Sequence, residues 1–342
     1  MTAARVRGEP RPFSVAPMMD RTDRHYRWLM RTITRRALLY TPMIAARRLL
    51  ASDGAALLEH DPREQPLAVQ LGGADPRELA QAARIAVDCG AVEVNLNCGC
   101  PSPAATAATW GAALMLQPAR VAEAVAAMRA AVAVPVTVKH RLGVRGHDGA
   151  EALFDFVDTV AAAGCDRFVV HARAAVLGGL GTRKNRSVPP LRPAEVYALA
   201  HARPALAIEM NGGIVDLDGA LAHLRAAPLA GVMIGRAAYD DPFAWADVDA
   251  LVAGDRRPPP SRAECGAMVL DYVAAHVQAG GRAHDVVRHA LGLWRGVPGG
   301  RRVRGELAHA ELDLATLSRA VACLRLAEGT VAIAHAASPC AP

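Results

Sequence analysis

The chain has 342 residues, 52% of them hydrophobic, enough to close one large domain and leave sequence for a smaller second one, which excludes a disordered protein. Its apolar runs are broken by charge, Gly or Pro well before the roughly 18 residues a bilayer span needs, and Met1-Thr2-Ala3-Ala4-Arg5 opens no signal peptide, so the protein reads as cytoplasmic with no membrane partner. Seven scattered cysteines argue against a disulfide framework, and a net charge of +6 points weakly to a polyanionic partner.

From Phe13 to about Asp249, short apolar, β-branched runs alternate with Ala-rich stretches of helical period, the pattern of βα units around a parallel sheet. The predicted strands are Phe13–Met18, Ala37–Met43, Pro66–Leu71, Val92–Asn97, Val134–His140, Arg167–Ala172, Ala205–Asn211 and Gly231–Gly235. Helices such as Pro76–Cys89, Pro118–Ala131 and Glu151–Ala163 are long enough for right-handed crossovers, and eight of these close a (β/α)8 TIM barrel. An open doubly wound sheet is the competitor; it usually shows a glycine fingerprint after the first strand, where this chain reads Met18-Met19-Asp20-Arg21-Thr22. Arg256-Arg257-Pro258-Pro259-Pro260-Ser261 cannot continue a helix and reads as a linker. Beyond it, Glu264–Ala279, Ala283–Leu293 and Leu312–Ala327 carry helical periodicity without strands. The predicted organisation is therefore a barrel domain over 1–255, a small C-terminal helical domain over 256–332 and a frayed tail over 333–342.

Barrels place their active sites at the C-terminal ends of the strands, so the polar residues just after each apolar run are the candidates. In chain order these are Pro17-Met18-Met19-Asp20, Gln70, Asn95 and Asn97 with Cys100, Lys139-His140-Arg141, His171-Ala172-Arg173, Asn211-Gly212-Gly213 and Gly235-Arg236. The last two follow strands seven and eight, where backbone N–H groups commonly form a phosphate site; one such glycine pair alone could equally be a tight turn. Lys139, Gln70 and His171 share that rim and could hold the polar edge of an isoalloxazine ring, with Met18 against its face. A flat, phosphate-bearing cofactor suits this set better than a metal, because only His140 and His171 lie among the strand ends and no carboxylates join them. Cys100 follows the fourth strand in a loop tightened by Gly99 and Pro101; a buried structural thiol is the commoner fate of cysteine, and its company on the rim favours a chemical role. Cys98 is expected to pack inward, and Cys89, Cys165, Cys265, Cys323 and Cys340 read as structural.

Together these motifs resemble the tRNA-dihydrouridine synthases, most closely their A subfamily. The resemblance rests on Ala16-Pro17-Met18-Met19-Asp20, Val69-Gln70-Leu71-Gly72-Gly73, Asn95-Leu96-Asn97 with Gly99-Cys100-Pro101-Ser102, Lys139-His140-Arg141-Leu142-Gly143, His171-Ala172-Arg173, Asn185-Arg186, Asn211-Gly212-Gly213 and Gly235-Arg236, and extends into the tail at His289 and Pro298–Arg304. It implies reduction of the uracil C5–C6 bond in tRNA, in the D-loop at position 20 or 20a. NADPH would reduce FMN, the flavin N5 would give hydride to C6, and Cys100 would protonate C5. It further implies FMN binding by Pro17, Met18, Met19, Gln70, Lys139, His171, Asn211, Gly212, Gly213, Gly235 and Arg236, and contact between Asn97 and the target nucleotide. Arg183 with Arg186, and Arg301 with Arg304, match the arginine pairs through which such enzymes contact tRNA; a single pair of this kind could be only a solvated face. No obligate protein partner and no metal are implied.

Several positions depart from the family pattern. Pro42 stands where glutamate is usual, Ala45-Ala46-Arg47-Arg48 replaces a small polar stretch, Ala113 a second cysteine, Ala174 a lysine, and Gly181-Thr182-Arg183 a Ser-Pro-Lys-like text. They bear on substrate contacts and leave the acid and the flavin residues in place. Two rivals remain at this level: an FMN barrel acting on a free small molecule, such as a dihydroorotate dehydrogenase or an ene-reductase, and an RNA-binding barrel that has lost catalysis.

Overall fold

The structure is a computed structural model and describes residues 11–107 and 109–336, with only the backbone described for 329–336. Nine strands form, β1 (Phe13–Val15), β2 (Leu38–Tyr40), β3 (Ile44–Ala45), β4 (Leu67–Gly72), β5 (Glu93–Cys98), β6 (Val136–Arg141), β7 (Arg167–His171), β8 (Ile208–Asn211) and β9 (Gly231–Ile234). All pair in parallel; β1 bonds to both β2 and β9, and β2 bonds to β4, so eight strands close the predicted barrel with β3 attached beyond β4.

The differences from the predicted strands have local causes. The predicted strand Ala37–Met43 ends early, at Tyr40, because Pro42 has no N–H for the ladder, and the two-residue β3 forms just beyond it. β1 stops before Pro17 for the same reason. Strand burial is nearly complete, as expected for a parallel sheet covered by helices. The crossover helices Pro76–Asp88, Pro118–Ala131, Ala150–Ala162, Pro193–Ala202 and Leu217–Ala226 follow. Asp75 and Asp216 cap two of them by accepting first-turn N–H bonds, and Pro76, Pro118 and Pro193 occupy the first helical position, where a missing N–H costs nothing. Inside the barrel, Ala16, Leu38, Tyr40, Ala68, Val169 and Met233 pack as one apolar cluster.

Two compact units result, one of Met1–Arg24 and Arg36–Gly235, the other of His25–Arg35 and Arg236–Pro342. The division after Gly235 differs from the boundary read at the Pro-rich linker, and it also assigns His25–Arg35 to the second unit. Within that unit the reason is visible: Asp249, buried, accepts from Thr34 Oγ1 and from the Arg35 N–H, both at 2.5 Å, and Trp28 stacks on Tyr272 at 4.2 Å between ring centroids. The helix Arg262–Gln278 opens on a capping box between Ser261 and Glu264, followed by Ala283–Ala290 and Gly300–Leu307. The last helix runs Leu314–Ala336, so residues 333–336 of the predicted tail are helical, while 337–342, with Cys340, lie outside the described residues. Among the described residues no helix is long and apolar enough to cross a membrane.

Candidate active site

Side chains alternate along a strand, and paired residues of neighbouring parallel strands share a face. On β5 this puts Glu93, Asn95 and Asn97 on one face. The register sets Gln70 beside Asn95, Asn97 beside Lys139, and His171 beside both Arg141 and Asn211. Five residues singled out from sequence, Gln70, Asn97, Lys139, His171 and Asn211, thus stand one on each of the five consecutive strands β4 to β8, facing the barrel interior.

Cys100 is held by its loop rather than by a strand. Asn97 Oδ1 accepts the N–H of Gly99 at 3.0 Å and that of Cys100 at 2.9 Å, and the Cys100 carbonyl accepts the Ala112 N–H at 2.9 Å. Gly111 makes that approach possible: its φ is +66°, and a Cβ there would lie 2.5 Å from the Cys100 carbonyl oxygen. The thiol is half-buried, with Sγ 3.4 Å from Ser102 Oγ. Arg141 fastens the same loop from β6, donating through Nε to Gly99 O at 2.9 Å and through Nη1 to the carbonyls of Ala174 and Asn185. Cys98 is fully buried, as the sequence suggested, and strand alternation sets it opposite Asn97; burial pushes its thiol pKa far up, so it takes no part in proton transfer near neutrality.

Across the mouth, Lys139 Nζ donates to Asn211 Oδ1 at 2.9 Å, and Asn211 Nδ2 donates to the Met233 carbonyl at 2.7 Å. Although part of the lysine surface is open, the ammonium is ringed by protein; burial first, and then the neighbouring Arg141 charge, push its pKa down to about 7. The glycines meet what a cradle demands. Gly212 has φ +104° and a Cβ there would strike the His171 ring at 2.4 Å, while Gly213 has φ +76° and would strike Leu191. At Gly235 a Cβ would find nothing nearer than Ala16 Cβ at 3.8 Å and Met18 Sδ at 4.0 Å, so open space lies beside Met18 and the end of β9. Backbone N–H groups, a cation, two amides and an open apolar side are the donor set that a phosphate-bearing planar cofactor requires.

The remaining predicted residues fall elsewhere. Pro17 and Met18 are half-buried, and Met19 is 57% exposed. Arg236 begins a short helix, Arg236–Asp240, assigned to the second unit. Arg183 and Arg186 flank the buried Asn185 and are exposed; in the second unit Arg301 is exposed, whereas Arg304 donates to the Trp294 carbonyl at 2.9 Å. Sequence reasoning named Arg141 among the strand-end residues but missed Thr137 and Glu93 as supports of the site, although their alternation with Asn95 and Asn97 on β5 and with Lys139 on β6 was a usable signal. Among the described residues no three His, Cys, Asp or Glu side chains gather as metal ligands.

Comparison with known proteins agrees with the barrel fold. Residues 14–327 match the family model described as Dihydrouridine synthase (Dus). A protein of Pseudomonas putida named tRNA-dihydrouridine(20/20a) synthase is 47% identical over 325 residues, 94% of this chain and 96% of the relative. Proteins of the same name from Synechocystis and from Xanthomonas axonopodis pv. citri are 47% and 49% identical, covering 88% and 86% of this chain and 90% and 87% of theirs. A 2-naphthoyl-CoA reductase structure shares the fold at a TM-score of 0.56 and 11% identity, over 69% of this chain and 49% of that one. With a match across nearly the whole barrel and into the tail helices, this chain belongs to the dihydrouridine synthase family and is an oxidoreductase.

Proposed function

We propose that the protein reduces the uracil C5–C6 bond of tRNA D-loop uridines, at position 20 or 20a, to 5,6-dihydrouridine, with FMN in the barrel mouth and NADPH as reductant. The observation that carries this reading is the position of Cys100: a half-buried thiol on a loop fixed by Asn97, at the same C-terminal strand ends as Lys139, Asn211 and the glycines. When bound, the flavin supplies the hydride that adds at C6. The chain supplies the rest. Cys100 holds the proton at Sγ and delivers it to C5, where hydride addition leaves enolate-like charge. Lys139, Gln70, His171 and Asn211 orient the polar edge of the ring, with Met18 on its face and Pro17 and Met19 beside it. Gly212, Gly213, Gly235 and Arg236 hold the phosphate. One hydrogen of Asn97 Nδ2 is committed to Gln70; the other is available to the target nucleotide.

A base inside folded RNA reaches such a pocket only when extruded, and the energy for that comes from phosphate contacts made elsewhere. Arg183 and Arg186 on the barrel, and Arg301 and Arg304 in the helical unit, serve that purpose, so the barrel acts as the FMN-binding domain and the C-terminal helices as the tRNA-binding one. A tRNA substrate sets the action in the cytoplasm, and no obligate protein partner is needed. The test is direct: the purified protein should be yellow and, with NADPH and unmodified tRNA, yield dihydrouridine by nucleoside mass spectrometry. Bound FMN with no dihydrouridine, or turnover of free uridine in place of tRNA, would sink the proposal.

A further inference from the structure

An unbroken line of side-chain hydrogen bonds runs from the Cys100 loop down into the barrel. The N–H of Cys100 donates to Asn97 Oδ1 at 2.9 Å, Asn97 Nδ2 to Gln70 Oε1 at 2.8 Å, Gln70 Nε2 to Asn95 Oδ1 at 2.8 Å, Asn95 Nδ2 to Thr137 Oγ1 at 2.8 Å, and Thr137 Oγ1 to Glu93 Oε1 at 2.7 Å. Every donor points the same way. Gln70, Asn95 and Thr137 lie side by side on β4, β5 and β6, and all are buried, so water does not offer them alternative partners.

The direction is imposed from both ends. At the top, Asn97 faces two backbone N–H groups, which can only donate, so its oxygen must turn to them and its nitrogen to Gln70. At the bottom, Glu93 also receives the Tyr40 hydroxyl at 2.6 Å and Arg167 Nη2 at 2.5 Å, and its carboxylate only accepts. Thr137 must therefore give its hydrogen downward and take one from Asn95. An amide can be flipped at little intrinsic cost, so the orientations of Gln70 and Asn97 are fixed only because each neighbour is fixed.

Resting on the proposed function, we infer that Thr137, held by the Glu93–Arg167 pair, is a positioning residue: through Asn95 it sets which amide atoms Gln70 and Asn97 present to the cofactor and substrate, and so fixes the Cys100 loop. Thr137 touches neither. Its hydroxyl acts at a distance of three hydrogen bonds from Asn97.

Thr137→Val removes the hydroxyl and keeps the shape. In the purified protein the expected result is a several-fold faster alkylation of Cys100 by iodoacetamide, read by mass spectrometry of its peptide, together with a shifted reduction potential of the bound flavin. The kcat for tRNA should fall about tenfold or more with KM changed less than about twofold, since misplacement of a reacting group by a fraction of an ångström has that effect. Thr137→Ser should restore all three readouts. If Thr137→Val does not fold, Asn95→Leu takes its place: the size is nearly kept while the donor to Thr137 and the acceptor for Gln70 are both lost, so the same pattern is expected. Unchanged alkylation and kcat in a folded variant, or a Thr137→Ser protein as defective as Thr137→Val, would overturn the inference. Absence of dihydrouridine formation by the unaltered protein would instead refute the proposed function, while the alkylation comparison would still decide the role of Thr137.

Discussion

The side-chain oxygen of Asn97 lies 2.9 Å from the backbone nitrogen of Cys100 and holds the Cys100 loop from its strand end. Asn97→Ala removes that acceptor and leaves the N–H groups of Gly99 and Cys100 to find another. The expected outcome is a protein that keeps FMN but loses roughly 100-fold in kcat, the scale of a reacting group displaced by about an ångström. Steady-state kinetics with tRNA check it; a rise in KM with kcat intact would make Asn97 a nucleotide contact alone.

Cys100→Ala tests the proposed proton donor itself. The thiol hydrogen-bonds to Ser102 Oγ, and the loop is held by backbone bonds that alanine preserves. The variant should therefore fold, bind FMN with an unchanged visible spectrum and accept hydride from NADPH, yet form dihydrouridine at least about 100-fold more slowly, the usual size of a general-acid contribution. Full retained activity would move the acid elsewhere.

The barrel was legible from sequence because its signal is repetitive: each βα unit independently shows an apolar run and a capped helix, as at Asp75-Pro76 before Pro76–Asp88. The rim residues were legible because strand ends are. What escaped was set by partners remote in sequence. Thr137 and Glu93 look like ordinary strand residues until the register sets Thr137 beside Asn95, and Asp249 reveals its hold on Thr34 and Arg35 only once the chain is folded. For the same reason the Pro-rich linker at 256–261 drew the boundary away from Gly235: composition marks where a helix must stop, and packing decides which unit the preceding segment joins.

If Lys139 holds the proposed cofactor, its binding should depend on pH. With its pKa pushed down to about 7 by burial and by Arg141, it is an ammonium below that pH and neutral above it. An anionic cofactor is favoured only by the protonated form, so FMN association with the apoprotein should take up a proton and weaken roughly tenfold between pH 7 and 8.5. Fluorescence quenching of FMN over that range measures it. Lys139→Met should bind more weakly and flatten the profile; a flat profile in the unaltered protein would contradict the role.

His140 gives the barrel an acid-sensitive point. It is fully buried on β6, with ring centroids 5.0 Å from Phe156 and 5.9 Å from Phe168; Nδ1 bonds to the Arg141 carbonyl and Nε2 has no partner among the described residues. Burial, reinforced by Lys139, pushes its pKa down to about 4. An unfolded histidine takes its proton near pH 6.5 and the folded one only near 4, so between those values the unfolded chain binds more protons and stability falls as pH falls. At about 1.4 kcal/mol per unit the loss is on the order of 3 kcal/mol, complete by pH 4. His140→Gln keeps a donor for the Arg141 carbonyl and cannot charge, so chemical denaturation at pH 7 and pH 4.5 should differ less for it than for the unaltered protein.

Substitutions at Arg301 and Arg304 should separate the proposed RNA binding from folding. Arg301 is exposed on the helix Gly300–Leu307, so Arg301→Ala should leave the melting temperature unchanged and lower the slope of log affinity against log salt by about one, the signature of one lost phosphate contact. Arg304 also donates to the Trp294 carbonyl, and Trp294 is a fully buried side chain of the helical unit. Arg304→Ala should therefore weaken tRNA binding and also lower the melting temperature, because it leaves that carbonyl unpaired at a cost of about 1 kcal/mol or more. Filter binding from 50 to 200 mM salt, run beside thermal melts, distinguishes the two. A salt slope that neither substitution alters would leave both arginines without a phosphate to meet, and the helical unit would then need another surface for tRNA.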